Sequence, residues 1–380
     1  MNKKEVSEIK RLFNKNKCHV RKLCGCYVDA EKNIKTEVKH AFLSLDEEEM
    51  FKYINIFRSC LSGSLGRNLI NLEFPIEQEE TGGTQEFLLR LRDSRLEDDE
   101  LIEQFYNKVI EYYEYAENYY IILAHAAYDI PGITSDGLEM DDASIYVYEH
   151  RICPVKLEKS NLCYNAESNT IETTIRDWLV DVPAHGFLFP AFNDRNTDIH
   201  SMLYYTRKSE NPNTSFMDNM FACRRPLTSK EQNGVFQTII EQSLGDDCSF
   251  ETVKSIHENI NEMIEEQKDL PEPVILDKND VKGLLVKSGI KEENLNDFDE
   301  HYERIFHDED TETASETNLT AANITNPRNL EVKTTDVVIK VKPERSDLIE
   351  TRIIDGIPYI LIQVNEHVEL NGVIVKPDEG

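Results

Sequence analysis

"YYIILAHAAY", residues 119 to 128, is the longest apolar stretch of the chain and the one on which the fold turns. A membrane-crossing helix needs about 20 apolar residues, so this run cannot span a bilayer. Its first six residues read instead as a buried strand, 119–124, ending at His125. Upstream, "CHVRKLCGCYVDAEKNIKTEVKHAFLS" supplies two more strands joined by a polar turn at Asp29 to Asn33. Downstream, the spacing predicts a strand from Ile145 to Val155. Helices lie between and around them. Val6, Ile9, Leu12 and Phe13 recur at three- and four-residue spacing, and "LDEEEMFKYINIFRSCLSG" opens with acids and closes at Gly63. "TQEFLLRLRDSRLEDDELIEQFYNKVIEYY" gives two helices, and "CSFETVKSIHENINEMIEEQKDLPEP" gives one capped by Ser249 and stopped before Pro271. The fold class is therefore α+β, with a mixed α/β main domain.

At 380 residues the chain exceeds the size at which one core keeps growing, so more than one domain is expected. The main domain is assigned to 1–270. "NDVKGLLVKSGIKEENLNDFDEHYERIF" follows as a helical hairpin, 271–306, turning at Gly289. It has the outline of a helix-turn-helix, but its second helix carries Glu292, Glu293, Asp297, Asp299, Glu300 and Glu303, which a major-groove reader would not. Residues 307–327, acidic and threonine-rich, read as a flexible acidic linker. Beyond it, 328–380 alternates Val and Ile with polar residues around Asp355-Gly356 and Asn371-Gly372. Such dipeptides between β-rich runs signal hairpins, so a small antiparallel β C-terminal module is expected.

Charge and cysteine content narrow the function classes. A net charge of −30, from 72 acidic and 42 basic residues, repels phosphate backbones and anionic membranes over most of the surface. The opening segment is locally basic, from Lys3 and Lys4 to Arg21 and Lys22, which leaves a concentrated basic face open. No apolar h-region follows the N-terminus, so a cytoplasmic location is expected. Eight scattered cysteines suit reduced thiols in a cytosol. Cys18, Cys24 and Cys26, with His19 nearby, could form a zinc site, but their spacing is not a usual zinc pattern and buried thiols explain them equally.

Three groups of residues carry candidate chemistry. Gly63, Gly66 and Arg67 in "SGSLGRNLINLEF" could cradle an anion, or form a helix end leading into a strand. His125 and Asp129, with Asp194 and His200, could supply catalytic groups. Asp136, Asp141 and Asp142 of an acidic loop could supply metal ligands for water activation, although no hydrolase signature is present. The segment "PAHGFLFPAFNDRNTDIH", 183–200, also reads structurally: Asp194 and Asn196 in turn hydrogen bonds, Asp198 capping a following helix, Arg195 paired with an acid, His185 in a turn after Pro183.

The stretches "MNKKEVSEI", "GCYV", "LSGSLGRNLINLEF", "DGLEMDDAS", "ICPVKL", "GFLFPAFNDR" and "PERSDLIETRIIDGIPYILI" together resemble a bacterial family, domain of unknown function 4317, nearly from end to end. The resemblance implies a cytoplasmic protein of Firmicutes-type bacteria. It implies no activity, cofactor or site residue. The order of "YYIILAHAAYD", "ICPVKL" and "GFLFPAFNDRNTDI" before a helix is also faintly similar to bacterial nucleoid-associated proteins. The expected function is a non-enzymatic binding or adaptor protein with protein partners met through the β module. Nucleoid-type nucleic-acid binding and metal-dependent hydrolysis are the alternatives, and the cofactor is unknown.

Overall fold

The structure is a computed structural model and describes residues 1–14, 18–133, 139–158, 162–166, 169–173, 177–245, 248–270, 272–306, 318–326, 328–365 and 367–375. These fall into two compact units, one over Met1–Ser229 and one from Lys230 onward. In chain order the first unit runs α1 (Lys3–Leu12), β1 (Val20–Val28), β2 (Ile34–Ala41), α2 (Glu47–Ser59), β3 (Leu69–Glu73), α3 (Ile76–Glu79), α4 (Thr84–Asp93) and α5 (Asp99–Tyr112). It continues with β4 (Tyr119–Ile133), β5 (Glu139–Leu157), β6 (Leu162–Asn165), β7 (Thr170–Thr173), β8 (Trp178–Val180), β9 (His185–Phe189), β10 (Ala191–Asn193), β11 (Asn196–Asp198), β12 (Ser201–Thr206) and α6 (Thr214–Phe221).

One antiparallel sheet organises this unit, in the order β2-β1-β4-β5-β9-β12-β3, with β8 also paired to β5. Side chains alternate across it, as the two-residue period of a strand requires. Along β4, Tyr119, Ile121 and Leu123 enter a core with α4, α5 and α6, while Ile122, Ala124 and Ala126 enter a second core with α1 and α2. The sheet is thus the middle layer of three. That explains why β12 (Ser201–Thr206) is buried along its whole length and carries no polar alternation.

Local chemistry fixes the helix ends. Asn2 caps α1 by accepting from the Lys4 and Glu5 amides, and Glu5 closes the capping box by accepting from the Asn2 amide at 2.7 Å. Asp98 caps α5 by accepting from the Glu100 and Leu101 amides.

Two expectations about this unit are corrected. The strand opening at Tyr119 does not end at His125. It continues to Ile133, paired with β5 throughout, and His125 is an interior position opposite Lys22 and Tyr148. The segment after "GFLFP" leads into no helix. Ala191–Asn193 and Asn196–Asp198 form a hairpin whose turn residues, Asp194 and Arg195, have φ of 50° and 57°, and β12 follows. Asp198 therefore caps a turn, accepting from the His200 amide at 3.0 Å. Arg195 does pair with an acid, Glu8, at 3.1 Å.

The second unit runs α7 (Ser229–Leu244), α8 (Phe250–Glu266), β13 (Ile275–Leu276), α9 (Lys278–Lys287), α10 (Phe298–Phe306), β14 (Leu319–Thr320), α11 (Ala321–Ile324), β15 (Leu330–Lys333), β16 (Val338–Val341), β17 (Ile349–Ile354), β18 (Ile357–Ile362), β19 (Val368–Leu370) and β20 (Val373–Val375). Ser249 caps α8, accepting from the Thr252 amide at 3.1 Å, and Asp277 caps α9 through a capping box with Asp280. The helical hairpin α9–α10 turns at Gly289, whose φ of 96° suits glycine.

The boundary expected at residue 270 lies near 230 instead, because α7 and α8 belong to the second unit. Amphipathic periodicity shows that a helix has an apolar face, not which core receives it. Of the expected linker, 307–317 and 327 lie outside the described residues. Within 318–326, β14 pairs with β13, and Leu319, Ala321 and Ile324 are buried.

The C-terminal segment forms three hairpins, β15–β16, β17–β18 and β19–β20. The last two turn at the expected dipeptides: Asp355-Gly356 has φ of 50° and 81°, Asn371-Gly372 has 50° and 86°. These ladders do not join into one sheet among the described residues. Ile349 is buried where β17 meets α8, and Ser346 hydrogen-bonds Glu258 of α8, so the segment is docked rather than tethered.

Candidate functional site

Of the histidines and acids singled out in the sequence, the described His125, Asp194 and His200 do not gather in one place. His125 follows Leu123 in the alternation of β4, so it faces the core of α4 and α5. The Asp194 amide instead donates to Glu5 of α1 at 2.7 Å, on the opposite face of the sheet. Glu5, itself buried, thereby joins the α1 cap to the β10–β11 turn. His200 precedes β12 and meets Glu79 at 2.6 Å, which holds its imidazolium and raises its pKa. From β4 to β12 there are three inter-strand spacings, about 14 Å, so His125 and His200 cannot share a metal centre.

Asp129 and Asp141 are backbone partners of Ser144 and Pro131 in the β4–β5 ladder, and Asp142 lies beside Asp141 in β5. Their side chains, and all of Asp136, lie outside the described residues. Among the described residues, no three His, Cys, Asp or Glu side chains converge as a metal-ion site.

The remaining sequence candidates resolve into structure. In the loop at Gly63, Gly66 and Arg67, the amides of Gly66, Arg67, Asn68 and Leu69 donate to the carbonyls of Ser64 and Leu69, so the loop's donors are spent on its own turn. The Asn68 side chain ties that turn to the Thr206 carbonyl at 3.0 Å, and a Cβ on Gly63 would meet Asn68. Both glycines take left-handed backbone, with φ of 108° and 73°, in a turn that follows α2, whose own C-cap is Cys60. Cys24 and Cys26 are buried on the α5 side, where burial pushes their thiols up to about 11 and about 12, while Cys18 packs against the core of α1 and α2. The three sulfurs lie on opposite faces and cannot bind one zinc.

His185 is not in a turn. It opens β9, and its Nδ1 is 2.9 Å from the Tyr204 hydroxyl. Burial pushes its pKa down to about 4.

Two features remain that sequence reasoning did not assemble. The first is the surroundings of His125, which is 1% exposed. It lines a cavity of 510 Å³ with Arg21, Lys22, Lys39, His40, Arg95 and Glu97. Burial, then Arg21, Arg95, Arg92 and Lys22, push its pKa down to about 4, so the ring is neutral at neutral pH. Lys22 pairs with Glu97 at 2.6 Å, Lys39 with Asp99, and Arg92 with Asp93.

The second feature is the β17–β18 hairpin, where Ile353 is 78% exposed and Ile354, Ile357, Tyr359 and Ile362 are also exposed. Its charges pair locally, Arg352 with Glu350 at 2.9 Å. Alternation in the sequence forecast the hairpin but not its lack of cover.

No helix among the described residues is long and apolar enough to cross a membrane. Among curated proteins, none matches the chain. The family model described as "Domain of unknown function (DUF4317)" matches residues 1–373, and the chain belongs to that family.

Proposed function

We propose that the chain is a non-enzymatic binding protein that engages a partner protein through its β17–β18 hairpin. The observation that carries this reading is the exposure of Ile353, Ile354, Ile357, Tyr359 and Ile362 on one two-stranded ladder. Ile353 and Ile354 are adjacent and so point to opposite faces, which exposes apolar side chains on both. An isolated hairpin is only marginally stable in water, and its outer edges have no strand partner among the described residues. An extended apolar segment of another protein satisfies both needs, adding backbone hydrogen bonds at an edge while covering the isoleucines. A second copy of the chain is a poorer occupant, since each copy carries a net charge of −30.

The alternatives have less support. The hydrolytic reading needs Asp129, Asp141, His125, Asp194 and His200 in one pocket, and the strand order that separates His125 from His200 counts against it. A nucleoid-type role would need a basic surface on a strongly acidic chain.

The test places a photo-crosslinking amino acid at Tyr359 in the host, identifies the adduct, and reconstitutes it with purified protein. The reading expects a distinct protein whose affinity falls at least tenfold on Ile357→Asp, with unfolding unchanged. Adducts only to copies of the same chain, or binding indifferent to Ile357→Asp, overturn it.

A further inference from the structure

The basic cavity beside His125 is built by two departures from regular backbone and one buried imidazole. Arg21 sits at the register shift between Val20 and Lys22, where β1 bulges against β4. A bulge breaks the two-residue alternation and re-aims a side chain. Arg95 and Leu96 follow α4 in consecutive left-handed conformations, with φ of 54° and 61°. Such backbone is strained for residues other than glycine and persists only when its surroundings enforce it. Leu96, fully buried in the core with α4 and α5, supplies that enforcement, and Arg95 is delivered to the cavity. The third element is His125, an imidazole buried in the sheet where an apolar residue would be the ordinary choice.

The composition of the lining points to the ligand. Among the described residues, Arg21, Lys22, Lys39 and Arg95 line the cavity with one carboxylate, Glu97, in a chain whose overall charge is strongly negative. Lys22 and Lys39 are anchored by Glu97 and Asp99 and so are held in place. Guanidinium groups match phosphate oxygens in a planar fork. The cavity volume of 510 Å³ falls in the range of small-molecule sites.

We propose that Arg21, Arg95 and His125, with Lys22 and Lys39, form a binding site for a small phosphate-bearing molecule. It belongs to the first unit and does not depend on the partner reading.

The experiment titrates the full chain with inorganic pyrophosphate and with inorganic phosphate by calorimetry, at constant ionic strength with chloride as the control. The histidine ring resonances are followed by NMR. Pyrophosphate is expected to bind with a dissociation constant below the millimolar range and to shift the His125 resonances. Arg95→Gly relaxes the left-handed backbone while removing the guanidinium, so it should fold as well as the parent and bind at least tenfold more weakly. Arg21→Ala should weaken binding similarly, and Lys342→Ala, in the second unit, should not. The proposal is overturned if pyrophosphate produces no heat and no shift at His125. It is also overturned if Arg95→Gly and Arg21→Ala bind as the parent does, or if duplex DNA binds through these residues and pyrophosphate does not compete.

Discussion

The ring of Tyr120 lies over Gly25. The two are diagonal neighbours across the β1–β4 ladder, where Gly25 pairs with Ile122, and a Cβ at residue 25 would stand 2.5 Å from Tyr120 Cζ and 2.7 Å from Cε2. The ring is held by the core of α1 and α2, and its hydroxyl is 3.2 Å from that of Tyr53. Gly25→Ala should therefore cost about 1–3 kcal/mol, as overpacking does. In a Tyr120→Ala background the same change should cost much less, and urea unfolding of the four chains measures the coupling. A single-mutant cost under about 0.5 kcal/mol would mean that the ring yields.

That contact marks where reading the sequence stops. "CGC" draws the eye to its cysteines, while the residue whose size is constrained is the glycine between them, and the constraint comes from a strand nearly a hundred residues away. Features written in consecutive residues were legible: the Ser249 helix start, the Asp355-Gly356 and Asn371-Gly372 turns, and the apolar run of β4. β12, "SMLYYT", was missed because a strand covered on both faces loses its alternation. The cavity beside His125 was invisible for another reason. Arg21, Arg95 and His125 come from a bulge, a turn and a strand, and no local pattern announces that a β-bulge will aim one arginine at another.

The buried histidines set an acid limit on stability. His125 and His185 are pushed down to about 4 chiefly by burial, and His257 is lowered for the same reason. An unfolded imidazole takes its proton near pH 6.5, so between pH 6.5 and 4 the unfolded chain binds more protons than the folded one. Stability is therefore full above pH 6.5 and falls as the pH drops toward 4, by up to about 3 kcal/mol for each of His125 and His185. Asp29 does not confuse this window, because its hydrogen bonds to Lys35 and the Asn33 amide hold its carboxyl down to about 2. Urea midpoints at pH 7.5, 6 and 5 should fall in that order, and His185→Gln should flatten part of the slope. Equal midpoints for the parent at all three pH values would contradict the burial of these rings.

Arg95 offers a test of strain kept at a site. With φ of 54° it occupies backbone that costs a side-chain-bearing residue about 1–2 kcal/mol, and glycine avoids that cost while giving back some chain entropy. Arg95→Gly should thus leave thermal stability unchanged or raise it by under about 1 kcal/mol, whereas substitution elsewhere on an exposed helix by glycine lowers it. Differential scanning calorimetry of Arg95→Gly beside Lys52→Gly, an exposed position inside α2, makes the comparison. A loss at residue 95 as large as that at residue 52 would show that the turn does not hold this conformation in solution.

Isoleucines of one strand separate docking from display. Ile349 opens β17 against α8 and is 1% exposed, whereas Ile353, four residues on, stands in water. Ile349→Ala removes buried methyl groups and leaves a cavity, so the second unit should lose about 2–4 kcal/mol. Ile353→Asp touches no core and should change stability by under about 0.5 kcal/mol. Hydrogen exchange distinguishes the two within one experiment: Ile349→Ala should speed exchange in both β17 and α8, and Ile353→Asp in neither. If the hairpin were instead tethered free of α8, Ile349→Ala would leave α8 protection as it was. Partner binding should respond in the reverse sense, lost with Ile353→Asp and retained with Ile349→Ala under conditions where the unit stays folded. On the proposed reading, the partner covers Ile353, Ile357 and Ile362, which the fold leaves exposed, so loss of binding without loss of stability is the signature that separates display from packing.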